Sequence, residues 1–258
     1  MLNAVQPGGS TLATAPSPFP YEVTVSREPL EVRAAQRLRH QVFALEMGAT
    51  LADRQPGIDA DDFDAYCDHL LVRHRASEAI VGTYRLLPPE AAARAGMLYS
   101  DGEFDLTALE KCRPALIEAG RSCVHPDHRN GAVIGLLWAG IARYLVTSGG
   151  RWLAGCASVS LDDGGLLAAG VWGTAREMHL SDPELRVTPH HRWKVGAGVP
   201  PLSNAGLPPL LRGYLRLGAK VCGPPAYDPD FHTADFFVLL DIEEANPRYL
   251  RRLVDGLR

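Results

Sequence analysis

Residues 118–134 read Glu-Ala-Gly-Arg-Ser-Cys-Val-His-Pro-Asp-His-Arg-Asn-Gly-Ala-Val-Ile, and they are the most informative stretch of this chain. The pattern predicts a buried strand that ends at Val124, a tight turn at His125-Pro126 and a polar loop. An apolar helix follows, from about Ala132 to Val146. Because a helix N-terminus presents free backbone N–H groups and a positive dipole end, the loop suits the phosphates of a phosphopantetheine carrier. The alternative is an ordinary strand-to-helix connection.

The composition is that of an ordinary globular protein, with 258 residues of which 46% are hydrophobic and 22% charged. The formal charge of −4 argues against nucleic acid as a partner, since domains that bind phosphate backbones are usually basic. The five cysteines are odd in number and form no Cys-x-x-Cys pair. Neither a disulfide framework nor a structural zinc site is therefore expected, and a reducing cytoplasm fits.

The N-terminal segment, residues 1–20, is rich in Gly, Ser, Thr and Pro and lacks the charged and apolar regions of a signal peptide. It predicts a disordered tail, followed by a single domain over residues 21–258. The longest apolar run, residues 131–145, contains Arg143 and is too short to cross a bilayer. We expect a cytoplasmic protein, in peripheral contact at most with the inner face of the membrane.

Hydrophobic periodicity predicts the order strand, helix, three strands, helix, strand, helix, strand. The predicted strands are 21–25, 69–74, 79–87, 115–124, 152–158 and 235–241. The predicted helices are 30–47, a short one after Pro88-Pro89, 132–146, 164–178, 207–217 and one that begins at Pro247. The fold class is therefore α/β (α+β), with a central, mostly antiparallel twisted sheet flanked by helices and a crossover helix after the fourth strand.

Four further segments accompany the opening stretch. They are LRHQVFALEMG at 38–48, DADDFD at 59–64 followed by CDHLLV at 67–72, VGTYRLL at 81–87, and GYLRLGA at 213–219. In the opening stretch, the residues that look like motif A of the GNAT acyltransferases are Val124, Pro126, Arg129 and Gly131. Together these segments resemble the ornithine N-acyltransferases of bacterial ornithine-lipid biosynthesis. More distantly, the chain is similar to acyl-homoserine-lactone synthases, and the resemblance implies a GNAT-like fold.

The resemblance also implies the reaction: transfer of a long (3-hydroxy)acyl chain from an acyl carrier protein thioester to the α-amine of an amino acid. Ornithine is the implied acceptor, in the first step of ornithine-lipid synthesis. Acyl carrier protein, or acyl-CoA in its place, is the implied co-substrate, with no bound cofactor and no metal. Two alternatives remain open, an acetyl-CoA-dependent N-acetyltransferase of small molecules and a non-catalytic module that binds acyl carriers.

The likeness to the lactone synthases implies an acceptor site. Its residues are Arg39, Phe43, Asp59, Asp61, Asp64 and Arg85. Carboxylates crowded in this way need a cation, which the amines of the acceptor or the two arginines could supply. The alternative is a solvated acidic loop anchored by Phe63. Lactone synthases use S-adenosylmethionine, and nothing in this sequence shows a site for it. Because the resemblance to the ornithine N-acyltransferases is closer, it implies an amino acid as acceptor.

Aminolysis of a thioester needs a proton acceptor, donors for the oxyanion and alignment of two substrates. Glu118 is the candidate base, and the alternative is a structural ion pair with an arginine such as Arg85. Glu118 and Arg121 face opposite sides of a strand unless a bulge intervenes, and the GNAT resemblance implies such a bulge. The candidate oxyanion donor is the backbone at Cys123 or Val124.

The phosphopantetheine arm is assigned to the loop and the helix start. These residues are Val124, Arg129, Asn130, Gly131 and Ala132. A basic dock would suit an acidic carrier protein, and its candidates, which are otherwise plain surface, are Arg129, Arg143, Arg151, Arg212, Arg216 and Lys220. The side chains that line an acyl slot, or alternatively belong to the core, are Leu137, Trp138, Trp152 and Trp172.

Cys123 and His125 could form a nucleophile and base, but no third partner orients them in the sequence. A small strand residue beside a turn histidine is the favoured interpretation. With His128 the two also mimic metal ligands, although no fourth ligand is evident. The segment His190-His191-Arg192 is interpreted as a polar strand or loop.

Overall fold

A computed structural model describes residues 19–51, 55–194, 198–203 and 206–255. The disordered tail predicted over residues 1–20 therefore lies outside the described residues, apart from its last two positions. Across the described ranges, no helix combines the length and the apolarity that crossing a bilayer requires.

The strands follow the predicted order. They are β1 (Tyr21–Ser26), β2 (Asp68–His74), β3 (Ile80–Leu87), β4 (Phe104–Asp105), β5 (Leu116–Val124), β6 (Trp152–Ser160), β7 (Thr188–Pro189), β8 (Lys220–Val221), β9 (Ala226–Asp228) and β10 (Thr233–Asp241). The helices are α1 (Pro29–His40), α2 (Pro89–Ala95), α3 (Ala132–Ser148), α4 (Leu166–Thr174), α5 (Pro209–Leu217) and α6 (Pro247–Asp255). Each predicted element appears within a few residues of its place, and four short strands were not predicted: β4, β7, β8 and β9.

Two predicted helices end in π-helical turns. The helix predicted over residues 30–47 is α1 followed by Gln41–Glu46, and the helix predicted over 164–178 is α4 followed by Ala175–His179. Such turns often occur at functional sites. Gly48 follows the first of them with φ 73°, a left-handed conformation typical of the residue after a helix.

The main sheet has the strand order β1-β2-β3-β5-β6-β10-β8, with β9 also paired to β10, and β4 and β7 form a separate small sheet. All these pairs are antiparallel except β5 with β6, which is parallel. Because α3 connects these two strands, it is the crossover helix that the sequence predicts. The predicted fold class is confirmed.

Apolar side chains are buried on both faces of the sheet. The larger core cluster packs α3, α4 and α5 against it and includes Leu70, Leu137 and Phe236. A second cluster, which includes Phe104 and Phe237, lies under the segment around β4, and a third lies under α1. The α1 cluster contains Phe43 and Cys123, so α1 is anchored against the end of β5.

The parallel pair separates soon after it begins. Pairing joins 116–118 of β5 to 152–154 of β6 and ends there, while β5 continues along β3 and β6 along β10. Gly155 lies at this fork, and a Cβ there would be 2.1 Å from the carbonyl oxygen of Ala119. Only glycine therefore lets the strands approach so closely just before they part.

A β-bulge lies in β5 beyond the fork. Register places Gly120 opposite Arg85 and Cys123 opposite Thr83, so Arg121 and Ser122 together face a single residue of β3. Arg121 has φ 53°, which is rare for a residue with a side chain. The bulge turns Arg121 to the same side as Glu118, as the resemblance implied.

Candidate active site

A cavity of about 530 Å³ opens where β5 and β6 part. Its walls come from the bulged part of β5, from β6 and β10, from the turn at Tyr99-Ser100 and from the π-helical turn after α1. Phe43, Met47, Phe63, Leu210 and Phe231 contribute apolar surface. The lining also holds charged side chains of both signs, so the cavity can accept a ligand with an apolar and a charged part.

Glu118 lies in the cavity wall and is 5% exposed. The backbone N–H groups of Tyr99 and Ser100 donate to its two carboxylate oxygens, over 2.6 and 2.8 Å. Burial raises the pKa of Glu118, although these N–H donors act in the opposite direction. The alternative of an ion pair with Arg85 is not what the structure shows, because Arg85 is paired with aspartates.

A network of three arginines and three aspartates lies beside Glu118. Arg39, from α1, donates to both carboxylate oxygens of Asp64 over 2.8 and 2.7 Å and contacts Asp59 Oδ2 at 2.8 Å. Arg85, from β3, lies 2.5 Å from Asp61 and 3.2 Å from Asp64. The side chain of Arg39 has no exposed surface, so the network extends into the core.

Arg121 joins the network from the bulge. It lies 3.5 Å from Asp59 and 3.6 Å from Asp61 and stacks between the rings of Tyr99 and Phe231, at 5.1 and 5.0 Å. The three aspartates are thus matched by three arginines. Burial opposes ionisation of Asp64, yet the hydrogen bonds from Arg39 hold its pKa well below the ordinary value. This network is neutral as a whole and needs no further cation.

The six residues of the predicted acceptor site therefore divide. Phe43 and Arg85 reach the cavity wall, while Arg39, Asp59 and Asp64 lie buried behind it. Asp61, which is partly exposed, holds the two arginines that face the cavity. Phe63 packs edge-on against Tyr99, with 5.7 Å between ring centroids, so the acidic segment is anchored as the sequence indicated.

The predicted anion cradle is the loop after β5 together with the first turn of α3. Gly131 has φ 87° and the N–H of Ala132 is held by the side chain of Asn130, over 3.0 Å. The N–H groups of Val133 and Ile134 have no acceptor among the described residues. Arg129 donates to both carboxylate oxygens of Glu46, over 2.5 and 2.7 Å. The carboxylate of Glu46, held by Arg129, therefore lies beside this loop.

The backbone at the end of β5 offers one N–H group to the fork. His125 donates its N–H to Val81 on β3, over 2.8 Å. Since the N–H groups of a strand alternate in direction, the N–H of Val124 points away from β3 and that of Cys123 points towards it. Arg129 Nε contacts Val124 O on the edge away from β3, over 3.1 Å, which agrees with this direction. Of the two candidate oxyanion donors, alternation favours Val124.

Cys123 is a buried side chain of the α1 core cluster. Burial raises its pKa to about 12, and within the described part of the chain no hydrogen bond links it to His125. The ring of His125 contacts Gln41 and His128 instead. The favoured interpretation of this pair, packing beside a turn histidine, agrees with these contacts.

The other predicted positions lie away from the cavity wall. Leu137 and Trp138 belong to the main core, Trp172 packs against it, and Trp152 stacks with Arg151. The expected acyl slot is therefore not where the sequence placed it. Arg143, Arg216 and Lys220 are exposed, whereas Arg151 pairs with Asp241 and Glu243. The segment from His190 to Arg192 is a loop with a single bridge at Arg192, consistent with its polar pattern.

Sequence reasoning missed one wall of the cavity. Glu103, Asp228 and Asp235 line it together with Cys156. Asp235 is the most recognisable of them, because it is a charged residue inside the continuously hydrophobic strand β10 and is 3% exposed. Glu103 and Asp228 lie in short segments without periodicity, so no local pattern marked them.

The comparisons with known proteins agree with this geometry. The Acetyltransferase (GNAT) domain family matches residues 38–139. The L-ornithine N(alpha)-acyltransferase of Rhodobacter capsulatus is 35% identical, over 94% of this chain and 99% of the relative. The enzyme of the same name from Brucella abortus is 37% identical, over 89% and 87% of the two chains.

Solved structures show the same fold at low identity. A CoA-dependent acyl-homoserine lactone synthase aligns with a TM-score of 0.56 and 18% identity, covering 92% of this chain and 89% of its own. An N-acyl amino acid synthase from uncultured soil microbes aligns with a TM-score of 0.52 and 11% identity, covering 87% and 91%.

The forked sheet, the bulged strand and the matches define an acyltransferase of the GNAT type. Within that class, the chain belongs to the L-ornithine N(alpha)-acyltransferase family.

Proposed function

We propose that this enzyme transfers a long acyl chain from an acyl carrier protein thioester to the α-amine of ornithine. The observation that carries the proposal is the cavity at the fork, whose lining joins apolar side chains, the candidate base Glu118, and Val124 and Arg129 at the start of the predicted cradle. The names of the relatives support ornithine as the acceptor. The resemblance supports a place at the first step of ornithine-lipid synthesis.

The proposed mechanism is direct transfer. The amine nitrogen attacks the thioester carbonyl, the N–H of Val124 stabilises the oxyanion, and the C–S bond breaks as the amide forms. Glu118 accepts the proton that the amine loses, and this proton then passes to the departing thiolate, so that the products are the amide and the free thiol and Glu118 returns to its carboxylate form. The raised pKa of Glu118 suits this role, because a base works best when its pKa lies close to the working pH.

A long acyl donor is favoured over acetyl-CoA by the apolar part of the cavity. Phe43 and Met47 from the turn after α1 and Leu210 from α5 give it a lining that a two-carbon acyl group would leave unused. Arg216 and Lys220, on and after α5, are exposed and would offer positive charge to an acidic carrier protein. These features support the carrier protein as donor, with acyl-CoA as the competing one.

We also propose peripheral contact with the inner face of the membrane. Leu45 and Met47, which are 72% and 48% exposed, project from the turn whose Met47 lines the cavity. An apolar surface at the cavity opening would let the acylated product pass into lipid.

The deciding experiment is mass spectrometry of products formed by the purified protein. The reaction offers acyl-carrier and acyl-CoA thioesters of several chain lengths together with a mixture of amino acids. We expect Nα-acyl-ornithine from the long carrier thioester. A product formed only from acetyl-CoA would support the small-molecule N-acetyltransferase, and binding without any product would support the non-catalytic module.

Arg129→Glu is expected to raise the Michaelis constant of the thioester donor by about 10-fold or more, with that of the amino acid unchanged. The variant places a negative charge where the phosphates of the donor would lie. It also loses the charge-assisted contact between Arg129 and a phosphate, which contributes ~1.5–3 kcal/mol. Steady-state kinetics with each substrate varied in turn measures both constants. Arg94→Glu, an exposed change of the same charge on α2, is the control. An unchanged donor constant in the Arg129 variant would contradict the cradle.

Cys123→Ala is expected to keep measurable turnover, because a thiol whose pKa is raised to about 12 carries almost no thiolate at neutral pH. Intact-protein mass spectrometry after incubation with thioester alone gives a second readout, in which the wild-type mass stays unchanged. An acyl adduct on Cys123 would replace direct transfer by an acyl-enzyme route.

A further inference from the structure

Glu103, Asp228 and Asp235 form one wall of the cavity, the acidic wall, which differs from the arginine–aspartate network in its balance of positive and negative charges. In that network three carboxylates meet three guanidinium groups, and Arg129 is paired with Glu46. Glu103, Asp228 and Asp235 form no ion pair with any arginine, lysine or histidine that the structure describes. The cavity therefore carries negative charge on one wall that the protein does not neutralise.

The contacts of these carboxylates reduce the negative charge but do not remove it, because Glu103 and Asp235 share a hydrogen bond that requires a proton on one of the two. Asp235 accepts a hydrogen bond from the Thr233 hydroxyl at 2.7 Å, and Asp228 accepts from the N–H groups of Asp230 and Phe231. Glu103 Oε2 accepts from the Cys156 thiol at 3.4 Å. Burial first, and then the charges of Asp235 and Asp228, raises the pKa of Glu103. The electrostatic cost of this wall falls when a cation binds.

The acidic wall also lies beside the candidate base. Ser100 donates its N–H to Glu118, its hydroxyl lies 3.4 Å from Cys156 Sγ, and that thiol contacts Glu103. A line of contacts thus runs from Glu118 through Ser100 and Cys156 to Glu103. A diamine bound along this line would place one nitrogen near each end.

We propose that Glu103, Asp235 and Asp228 bind the side-chain ammonium of the acceptor and so select a diamino acid and direct acylation to its α-amine. The proposal rests on the proposed function. A carboxylate-lined subsite keeps the side-chain amine protonated, and a protonated amine has no lone pair to attack a thioester. The α-amine, at the Glu118 end, can lose its proton and react. The enzyme then acylates the α-amine because the side-chain nitrogen is the one that stays protonated.

The other occupant that this wall could take is a metal ion, because single atoms of Glu103, Cys156 and Asp235 lie within 4.8 Å of one another. Burial and the neighbouring acids raise the pKa of the Cys156 thiol well above its ordinary value, whereas a metal ligand must be a thiolate. An ammonium needs only hydrogen-bond acceptors, which the carboxyl groups provide. The chemistry of these side chains, two carboxyl groups beside a protonated thiol, therefore favours the ammonium.

The test compares L-ornithine with L-norvaline, which has the same carbon chain without the side-chain amine. For Glu103→Gln and, separately, Asp235→Asn, we expect the ratio of kcat/KM for ornithine over norvaline to fall about 10- to 100-fold. A second product acylated on the side-chain nitrogen is expected by mass spectrometry. Glu90→Gln, the same change on the exposed surface of α2, is the control, and thermal unfolding checks that each variant is folded.

The outcomes are distinguishable. If the wild-type enzyme acylates ornithine and both variants keep its preference over norvaline, the subsite is wrong while the proposed function stands. If the variants slow both acceptors equally, these carboxyl groups serve the reaction rather than selectivity, and the subsite is again wrong. If wild-type activity is lost on chelation and restored by Zn²⁺, the wall holds a metal. If the wild-type protein acylates no amino acid, the proposed function fails and the subsite with it. Should one variant not fold, the other gives the same readout.

Discussion

Glu118→Gln is expected to lower kcat by ~10²–10⁴-fold, the range for loss of one general base. The side chain lies in the cavity wall and is buried, and its carboxylate is held in place by two backbone N–H donors. The amide of glutamine keeps the size but cannot take the proton from the attacking amine. Steady-state turnover with saturating donor and acceptor measures the effect.

A second readout separates proton transfer from positioning, because Glu118 also holds the turn at Tyr99-Ser100. When the base is lost, the dependence of kcat/KM on pH loses the limb that reports ionisation of Glu118. A variant that is slow but keeps the wild-type pH profile would show that Glu118 only holds the turn. A variant with nearly wild-type turnover would remove Glu118 from the mechanism.

Arg39→Leu is expected to cost about 3–5 kcal/mol of unfolding free energy, the usual penalty for removing one partner of a buried ion pair. The arginine is fully buried and is the bidentate partner of Asp64. Its loss leaves Asp59 and Asp64 buried with fewer cations. Because a whole domain is stable by only about 5–15 kcal/mol, we expect little soluble protein at 37 °C. Urea unfolding measures the loss, and Arg37→Leu on the exposed face of α1 is the control.

The pH dependence of the unfolding free energy also measures how much the pairing of Asp64 with its arginines stabilises the fold, and it does so without removing an arginine. The pKa of Asp64 is depressed in the folded state, so its contribution is complete above the unfolded pKa of about 3.9 and is lost as the pH falls below it. In Asp64→Asn this acid-dependent loss disappears from the unfolding free energy. A loss below 1 kcal/mol for Arg39→Leu would show that the network is not a structural element.

Much of the fold could be predicted from the sequence because its long elements have clear periods. The apolar run of α3 and the buried strand β5 are each long enough to be read locally, and their order implies the parallel crossover. The four short strands have two or three residues each. β8 and β9 form against the long strand β10, and β4 and β7 pair with each other, so each depends on a partner that is distant in the chain. No local pattern could mark them.

Only part of the site could be predicted, because its residues act through contacts between segments that are distant in the chain. Asp59, Asp61 and Asp64 are conspicuous as a cluster, but their role depends on arginines that come from α1, β3 and β5. The sequence allowed those arginines or the substrate as the counter-charge, and only the packing of three separate elements distinguishes the two. Glu103 and Asp235 are 132 positions apart in the chain and meet through the sheet, so their proximity could not be read from either segment.

The fork between β5 and β6 also leaves two unpaired strand edges inside the sheet. An unpaired strand edge usually favours pairing with another chain, because it exposes a row of backbone donors and acceptors. Here the two unpaired edges face each other inside the sheet, since β5 stays paired with β3 and β6 with β10. A slot of this kind is too narrow for a foreign strand with its own neighbours, yet a single flexible arm that carries amide groups can enter it. The fork thus presents backbone donors and acceptors to a single extended chain and not to the edge strand of another sheet.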